Sequence, residues 1–143
     1  MTNVLFACVH NAGRSQIAAA LFNRLADPAL AHAISAGTQP AASVHPEVVS
    51  VMREIGVDLT RSSPRPLTPE LARETHVLIT MGCGDECPVV PGAQREDWPI
   101  EDPRRQSLTK VRAIRDDIRT RVERLVRQNG WAVRDGAAAP LPE

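Results

Sequence analysis

The stretch CVHNAGRS, running from Cys8 to Ser15, holds the chain's clearest chemical potential: a cysteine, five spacer residues and an arginine. A thiolate is a nucleophile, and a guanidinium offers a planar fork that grips a tetrahedral oxyanion through two parallel hydrogen bonds. Gly13 gives the loop a position free to take positive φ, Asn11 tolerates a left-handed backbone, and Ser15 can donate a hydrogen bond to the sulfur. The apolar run NVLFA precedes this loop and the helical pattern QIAAALFNRLA follows it. At such a junction several backbone N–H groups and the helix dipole converge on one point, an anion cradle. The expected ligand set is therefore Val9, His10, Asn11, Ala12, Gly13, Arg14 and Ser15, with Cys8 at the lip. In the plainer reading Cys8 ends a buried strand as a small apolar residue and Arg14 is a solvated charge at a helix start. The strand before and the helix after favour the cradle. His10 is either a second cation near the anion or a loop histidine without a role.

The elements that must position these residues follow from periodicity. Val4 to Ala7 is continuously apolar, as expected of a strand buried on both faces of a parallel sheet. From Ser15 onward Ile17, Leu21, Phe22 and Leu25 recur at helical spacing until Asp27-Pro28 stops them. Ala31 to Thr38 reads as a second strand, and Pro46 to Ile55 as a helix ended by Gly56. After a loop with Pro64, Pro66 and Pro69, a third strand is predicted over His76 to Met81, and a fourth over Arg95 to Trp98. Ser107 caps a last helix with Leu108, Val111, Ile114, Ile118, Val122, Leu125 and Val126 on one face before Gly130. The alternation predicts one doubly wound α/β domain over residues 1–130 with a mostly parallel sheet, followed by a frayed tail, 131–143. In such folds ligands sit at the carboxyl ends of strands, where both Cys8 and Cys83 fall.

Composition narrows the function further. Among 143 residues, 17 basic side chains balance 17 acidic ones, so no overall field favours nucleic acid or an anionic membrane. No apolar run approaches a membrane span and the N-terminus lacks a signal-type core, so a cytoplasmic location is the default expectation. Three cysteines are too few for a disulfide framework; in a reducing compartment they are reduced, metal-bound or catalytic.

Taken together, CVHNAGRS, SAGT (Ser35 to Thr38), HPEVVSVMREIGVDLTRSSPRPLT (His45 to Thr68), VLITMGCGDECP (Val77 to Pro88) and DWPIEDP (Asp97 to Pro103) resemble the low-molecular-weight protein tyrosine phosphatase family. Within it they are most similar to the arsenate reductase branch of the thioredoxin-coupled type. The resemblance spans residues 2 to about 128 and implies a flavodoxin-like fold with a four-stranded parallel sheet flanked by helices. The departures from the phosphatases point the same way. Gly13 stands where phosphatases usually carry a second loop cysteine, and His10 where they carry glycine. No tyrosine occurs in the chain, and Asp102-Pro103 is followed by Arg104-Arg105 rather than by an aromatic pair. With two Trp and two Phe there is little material for a phosphotyrosine clamp, and a small inorganic oxyanion fits better.

The resemblance implies arsenate as substrate, phosphate or sulfate as competing oxyanions, and Asp102 as the acid that protonates the departing oxygen. Asp102 alone also reads as a turn-forming residue before proline, and Asp97 and Glu101 are neighbouring candidates. In MGCGDECP, Cys83 and Cys87 supply the thiols that reducing a cysteine–arsenate adduct requires. The implied relay runs from Cys8 to Cys83 to Cys87, the last disulfide being reduced by thioredoxin or a similar dithiol protein. Gly82 and Gly84 permit the loop to close on Cys8 and retreat. A zinc half-site fits poorly, because Cys-x3-Cys departs from the usual spacing, so no metal and no bound cofactor are expected. Two inert thiols are the remaining reading for that pair. The expected protein is a monomeric arsenate reductase with weak phosphatase activity. Its rivals are a phosphatase acting through phosphocysteine, with Cys83 and Cys87 as redox guards, and a passive arsenic- or oxyanion-binding protein.

Overall fold

A computed structural model describes residues 1–82 and 90–133 of the chain. The elements run β1 (Thr2–Cys8), α1 (Arg14–Leu25), β2 (Ala31–Gly37), α2 (Pro46–Arg53), α3 (Pro69–Arg73), β3 (Val77–Thr80), β4 (Gln94–Asp97) and α4 (Leu108–Gln128). The four strands form one sheet in the order β2-β1-β3-β4, and every pairing is parallel. A parallel sheet needs crossovers on its faces, which is what the alternating helices supply.

β1 is the central element, and its sequence says why. Val4, Leu5, Phe6 and Ala7 are all fully buried, with odd and even positions feeding opposite faces. On one face Val4, Phe6 and Cys8 join the main core with Ile17, Leu21 and Phe22 of α1 and the α4 stripe Val111, Ile114, Ile118, Val122, Leu125 and Val126. On the other, Leu5 and Ala7 meet Ala36 and Leu78, covered by Leu67, Leu71 and Val90. Phe6 packs on Phe22 and Trp98 at centroid distances of 5.9 and 5.6 Å, and Phe22 on Trp131 at 5.8 Å. All four large rings of the chain are thus spent in one stack; fully burying Phe6 or Phe22 is worth about 1.5–3 kcal/mol.

The helix ends follow local chemistry. Ser107 Oγ accepts a hydrogen bond from Lys110 N at the start of α4. Gly56, at φ 78°, closes α2 with Val57 N–H donating to Met52 O, and Pro46 occupies its first turn. Two points differ from the periodicity reading. Leu108 is exposed instead of joining the apolar face of α4, because it lies in the first turn, before the helix settles on the sheet. The proline-rich loop contains a short helix, α3, started by Thr68 accepting from Leu71 N and by Pro69 in the first turn. Beyond α4, Asp27 N–H donates to Trp131 O, and Ala132 bridges Ala26, so residues 131–133 return to the end of α1.

Candidate active site

The loop between β1 and α1 is shaped from outside by the segment that follows β2. Thr38, Gln39, Ala41 and His45 donate their backbone N–H groups to the carbonyls of Cys8, Val9, His10 and Ala12 at 3.2, 2.8, 2.9 and 2.9 Å. Four carbonyls of the loop are thereby tied outward. Gly37 makes this possible: a Cβ there would fall 2.6 Å from Val9 O and 3.0 Å from Asn11 N. At the start of α1, Gly13 offers no side-chain cap, so the first-turn N–H groups keep their capacity for a ligand. Gly13 is also forced by crowding, since a Cβ would meet Pro103 Cγ at 2.6 Å.

Asn11 takes φ 50°, and its amide makes three hydrogen bonds. Arg65 N–H and Gln16 Nε2 donate to Asn11 Oδ1 at 2.9 and 3.2 Å, which turns Nδ2 toward Ser15 Oγ at 2.7 Å. Ser15 Oγ accepts there and lies 2.9 Å from Cys8 Sγ, placed to donate its own hydrogen whenever the sulfur is a thiolate, which can only accept. The sulfur, in a residue only 2% exposed, thus receives a hydroxyl oriented by a three-bond chain that starts at Arg65.

Arg14 is buried to 8% exposure and donates from Nη1 to Ile100 O at 3.1 Å. Its Nη2 lies 3.9 Å from Asp102 Oδ2. Gly82, at φ 81°, lies against the guanidinium: a Cβ added there would overlap Nη1 and fall 3.1 Å from Cζ. Gly82 follows β3, β3 pairs with β1, and so the parallel sheet delivers both loops to one end.

The three neighbouring carboxylates differ in what they already hold. Asp97 accepts from Thr80 Oγ1, and Glu101 pairs with Lys110 Nζ at 2.8 Å and accepts from Gln106 Nε2 at 3.2 Å. Asp102 Oδ1 accepts from Arg104 N at 2.9 Å, leaving Oδ2 on the Arg14 side. The geometry therefore links Cys8, Asn11 and Ser15 by hydrogen bonds and sets Asp102 beside Arg14, while Asp97 and Glu101 are engaged by Thr80 and by Lys110 and Gln106. His10 Nδ1 lies 3.1 Å from Gln39 O, on the outer side of the loop. Cys83 and Cys87 lie outside the described residues.

Sequence reasoning missed His45, Ile100 and Arg65. His45 N–H holds Ala12 O, and burial pushes its imidazole pKa down against the opposing attraction of Asp102 and Glu47, with Arg104 and His10 adding to the lowering. No motif flags a backbone carbonyl such as Ile100 O, but His45 stands just before Pro46, a helix-start signal that marks a residue at a strand-end loop.

The match to known proteins is extensive. A putative arsenate reductase of Halobacterium salinarum is 39% identical over 123 residues, covering 82% of this chain and 85% of that protein. The glutaredoxin arsenate reductase of Synechocystis is 34% identical over 129 residues, covering 88% and 97%. Among solved structures, a thioredoxin-dependent arsenate reductase of Corynebacterium glutamicum superposes with a TM-score of 0.77 at 40% identity. That comparison covers 90% of this chain but 61% of the other. An arsenate reductase in a phosphate-binding state gives a TM-score of 0.77 at 31% identity, covering 90% and 98%. The model of the low molecular weight phosphotyrosine protein phosphatases matches residues 3–131, nearly the whole described fold and all of the cradle. With that match and those relatives, the chain belongs to the low molecular weight phosphotyrosine protein phosphatase family.

Proposed function

We propose that this protein is an arsenate reductase in which Cys8 is the nucleophile and Cys83 and Cys87 complete a disulfide relay. Arsenate sits in the cradle on the free loop N–H groups and Arg14, where it competes with Asp102 for the guanidinium. Cys8 thiolate attacks arsenic; a sulfur–arsenic bond forms, an arsenic–oxygen bond breaks, and the departing oxygen takes the proton of Asp102 and leaves as water. Cys83 thiolate then attacks Cys8 Sγ. The sulfur–arsenic bond breaks with its electron pair going to arsenic, which departs as arsenite, and a Cys8–Cys83 disulfide remains. Cys87 attacks Cys83, freeing Cys8, and a dithiol protein of the thioredoxin or glutaredoxin kind reduces the resulting Cys83–Cys87 disulfide. Such reductants work in the cytoplasm, where we place the protein; among the described residues no helix is long and apolar enough to cross a membrane.

The observation that carries the reductase reading is the seat of Gly82 on Arg14. Gly82, the residue immediately before Cys83, lies against the side chain that in this reading grips the oxyanion. The names of the relatives support arsenate as that substrate, and the fold family supports Cys8 and Arg14 as its binding pair. Rapid-quench arsenite measurement tests the relay. Cys87→Ser releases about one arsenite per enzyme and stalls as a Cys8–Cys83 disulfide, whereas Cys83→Ser releases none. Equal yields from the two variants overturn the order, and no arsenite from the wild type overturns the function.

A further inference from the structure

The outer edge of β2 is closed at most positions by other parts of the chain. Ala31, Ala33, Ser35 and Gly37 turn their N–H groups away from β1, and each meets a different neighbour. Ala31 N–H donates to Asp27 O at 3.1 Å. Ala33 is closed by the Asn23 carboxamide, which accepts from its N–H and donates to its carbonyl at 2.8 Å each. Gly37 N–H donates to Arg65 O at 2.9 Å, and Gly37 O accepts from Leu67 N–H at 3.0 Å, with Pro66 opposite in parallel register. Continued by two residues, that register would close Ser35 with Ser63 O and Arg65 N–H. Neither group reaches it. Gln16 Nε2 donates to Ser63 O at 3.3 Å, and Arg65 N–H donates to Asn11 Oδ1 at 2.9 Å. The wiring of the β1–α1 loop thus leaves the backbone N–H and C=O of Ser35 without a partner among the described residues.

At Ser35 opens a groove of about 440 Å3, where the short side chains of Ala19, Ala20 and Ala33 let another backbone come close. Arg61, Arg65 and His32 also line it, and none of its lining residues is a carboxylate. Both arginines are exposed. Asp58 feels the charge of Arg61 but does not line the groove, and Thr60 already donates to it from its N–H and its hydroxyl. A cation would find no countercharge here, and a bare anion would leave the strand edge unused. An extended peptide satisfies both, because each residue of a strand presents its N–H and C=O to the same side. We propose that the groove receives an acidic extended segment of a partner protein, one residue of which pairs with Ser35 while its carboxylates meet Arg61 and Arg65. The pairing stops at that one residue, since Ala33 and Gly37 are already closed. Charge therefore contributes to the affinity alongside the backbone bonds.

The test follows the Ser35 amide signal by NMR of the isotope-labelled full chain, with inorganic phosphate present throughout so that carboxylates do not enter the β1–α1 loop. The probes are the capped peptides acetyl-AEVEA-amide and acetyl-AKVKA-amide. The acidic peptide moves the Ser35 signal saturably, and the lysine peptide binds at least roughly tenfold more weakly. The double variant Arg61→Glu, Arg65→Glu weakens the acidic peptide roughly fivefold to twentyfold. Methylating the nitrogen of each of the three central peptide residues in turn reads the pairing on the wild type alone, so the proposal stays testable if the double variant does not fold. One derivative loses roughly tenfold or more, and its neighbours, whose N–H groups point away from β2, lose less. A Ser35 signal that the acidic peptide does not move, an equal affinity for the lysine peptide, or equal effects of the three methylations overturns the proposal. Glutarate binding as tightly as the acidic peptide overturns it too, since the groove would then take a plain dianion and no strand.

Discussion

Replacing Gly82 by alanine tests its contact with Arg14, the proposed oxyanion ligand. Two costs are expected, and the structure separates them. The first is conformational: φ 81° lies in the left-handed region, where a Cβ costs about 1–2 kcal/mol. The second is steric and falls on the site, because the new methyl overlaps Arg14 Nη1 and lies 3.1 Å from Cζ. The guanidinium must shift, which at most costs the 3.1 Å bond to Ile100 O, a charged hydrogen bond of the kind worth about 1.5–3 kcal/mol. Gly92 is the natural control, since it has φ 82° with nothing within 4 Å of an added Cβ. Gly92→Ala should lose about 1–2 kcal/mol in urea unfolding and leave phosphate binding untouched. Gly82→Ala should lose more than Gly92→Ala, up to about 5 kcal/mol, and weaken phosphate binding, measured by titration calorimetry, roughly tenfold to a hundredfold. In an Arg14→Ala background the excess over Gly92→Ala should shrink, because the overlapping group is gone. Equal stability losses for the two glycines, with phosphate affinity unchanged in both, would refute the contact on which the reasoning depends.

Asn11→Ala removes bonds to Ser15, Arg65 and Gln16 at a residue with φ 50°, and a loss of about 2–4 kcal/mol in urea unfolding is expected; a loss below half a kcal/mol would contradict the chain of bonds that orients Ser15. Arg14→Lys keeps the charge but not the planar fork, and phosphate affinity by calorimetry should fall at least about tenfold; unchanged affinity would remove Arg14 from the cradle. Because burial holds the His45 imidazole pKa low, the unfolded chain binds more protons than the native one just below pH 6.5, and stability there falls as pH falls. His45→Gln should therefore show a smaller drop in urea midpoint between about pH 7.5 and pH 5 than wild type does. Equal drops in both proteins would show that His45 does not titrate differently on folding. Glu54, held low first by its hydrogen bond to Arg112, contributes its own loss at more acid pH in both proteins.

The parts of the fold that were legible in the sequence are those fixed by local pattern. The unbroken apolar run of β1 announced a strand buried on both faces, and the α4 stripe announced one packed face. The loop proposed as a cradle was legible for the same reason, since Cys8, Asn11, Arg14 and Ser15 belong to one continuous strand end, loop and helix start. Contacts between distant segments were not. The seat of Gly82 on Arg14 exists because β3 pairs with β1, and neither residue carries a signal of the other. Nor could sequence show what sets the three carboxylates Asp97, Glu101 and Asp102 apart, which is their partners: Thr80 holds the first, Lys110 the second, and the third faces Arg14. α3 was hidden for an opposite reason. Three prolines suggested an irregular loop, although Thr68 before Pro69 is a helix-start pair.

The central claim is that Cys8 turns over arsenate with electrons delivered through the two later thiols. It is tested most directly by arsenate-dependent NADPH oxidation in the presence of thioredoxin and thioredoxin reductase, measured for wild type and Cys8→Ser. Wild type should oxidise NADPH repeatedly per enzyme with arsenite accumulating in equal amount, and Cys8→Ser should fall to the enzyme-free blank. Oxidation by wild type no faster than that blank, or a Cys8→Ser rate close to wild type, would contradict the account.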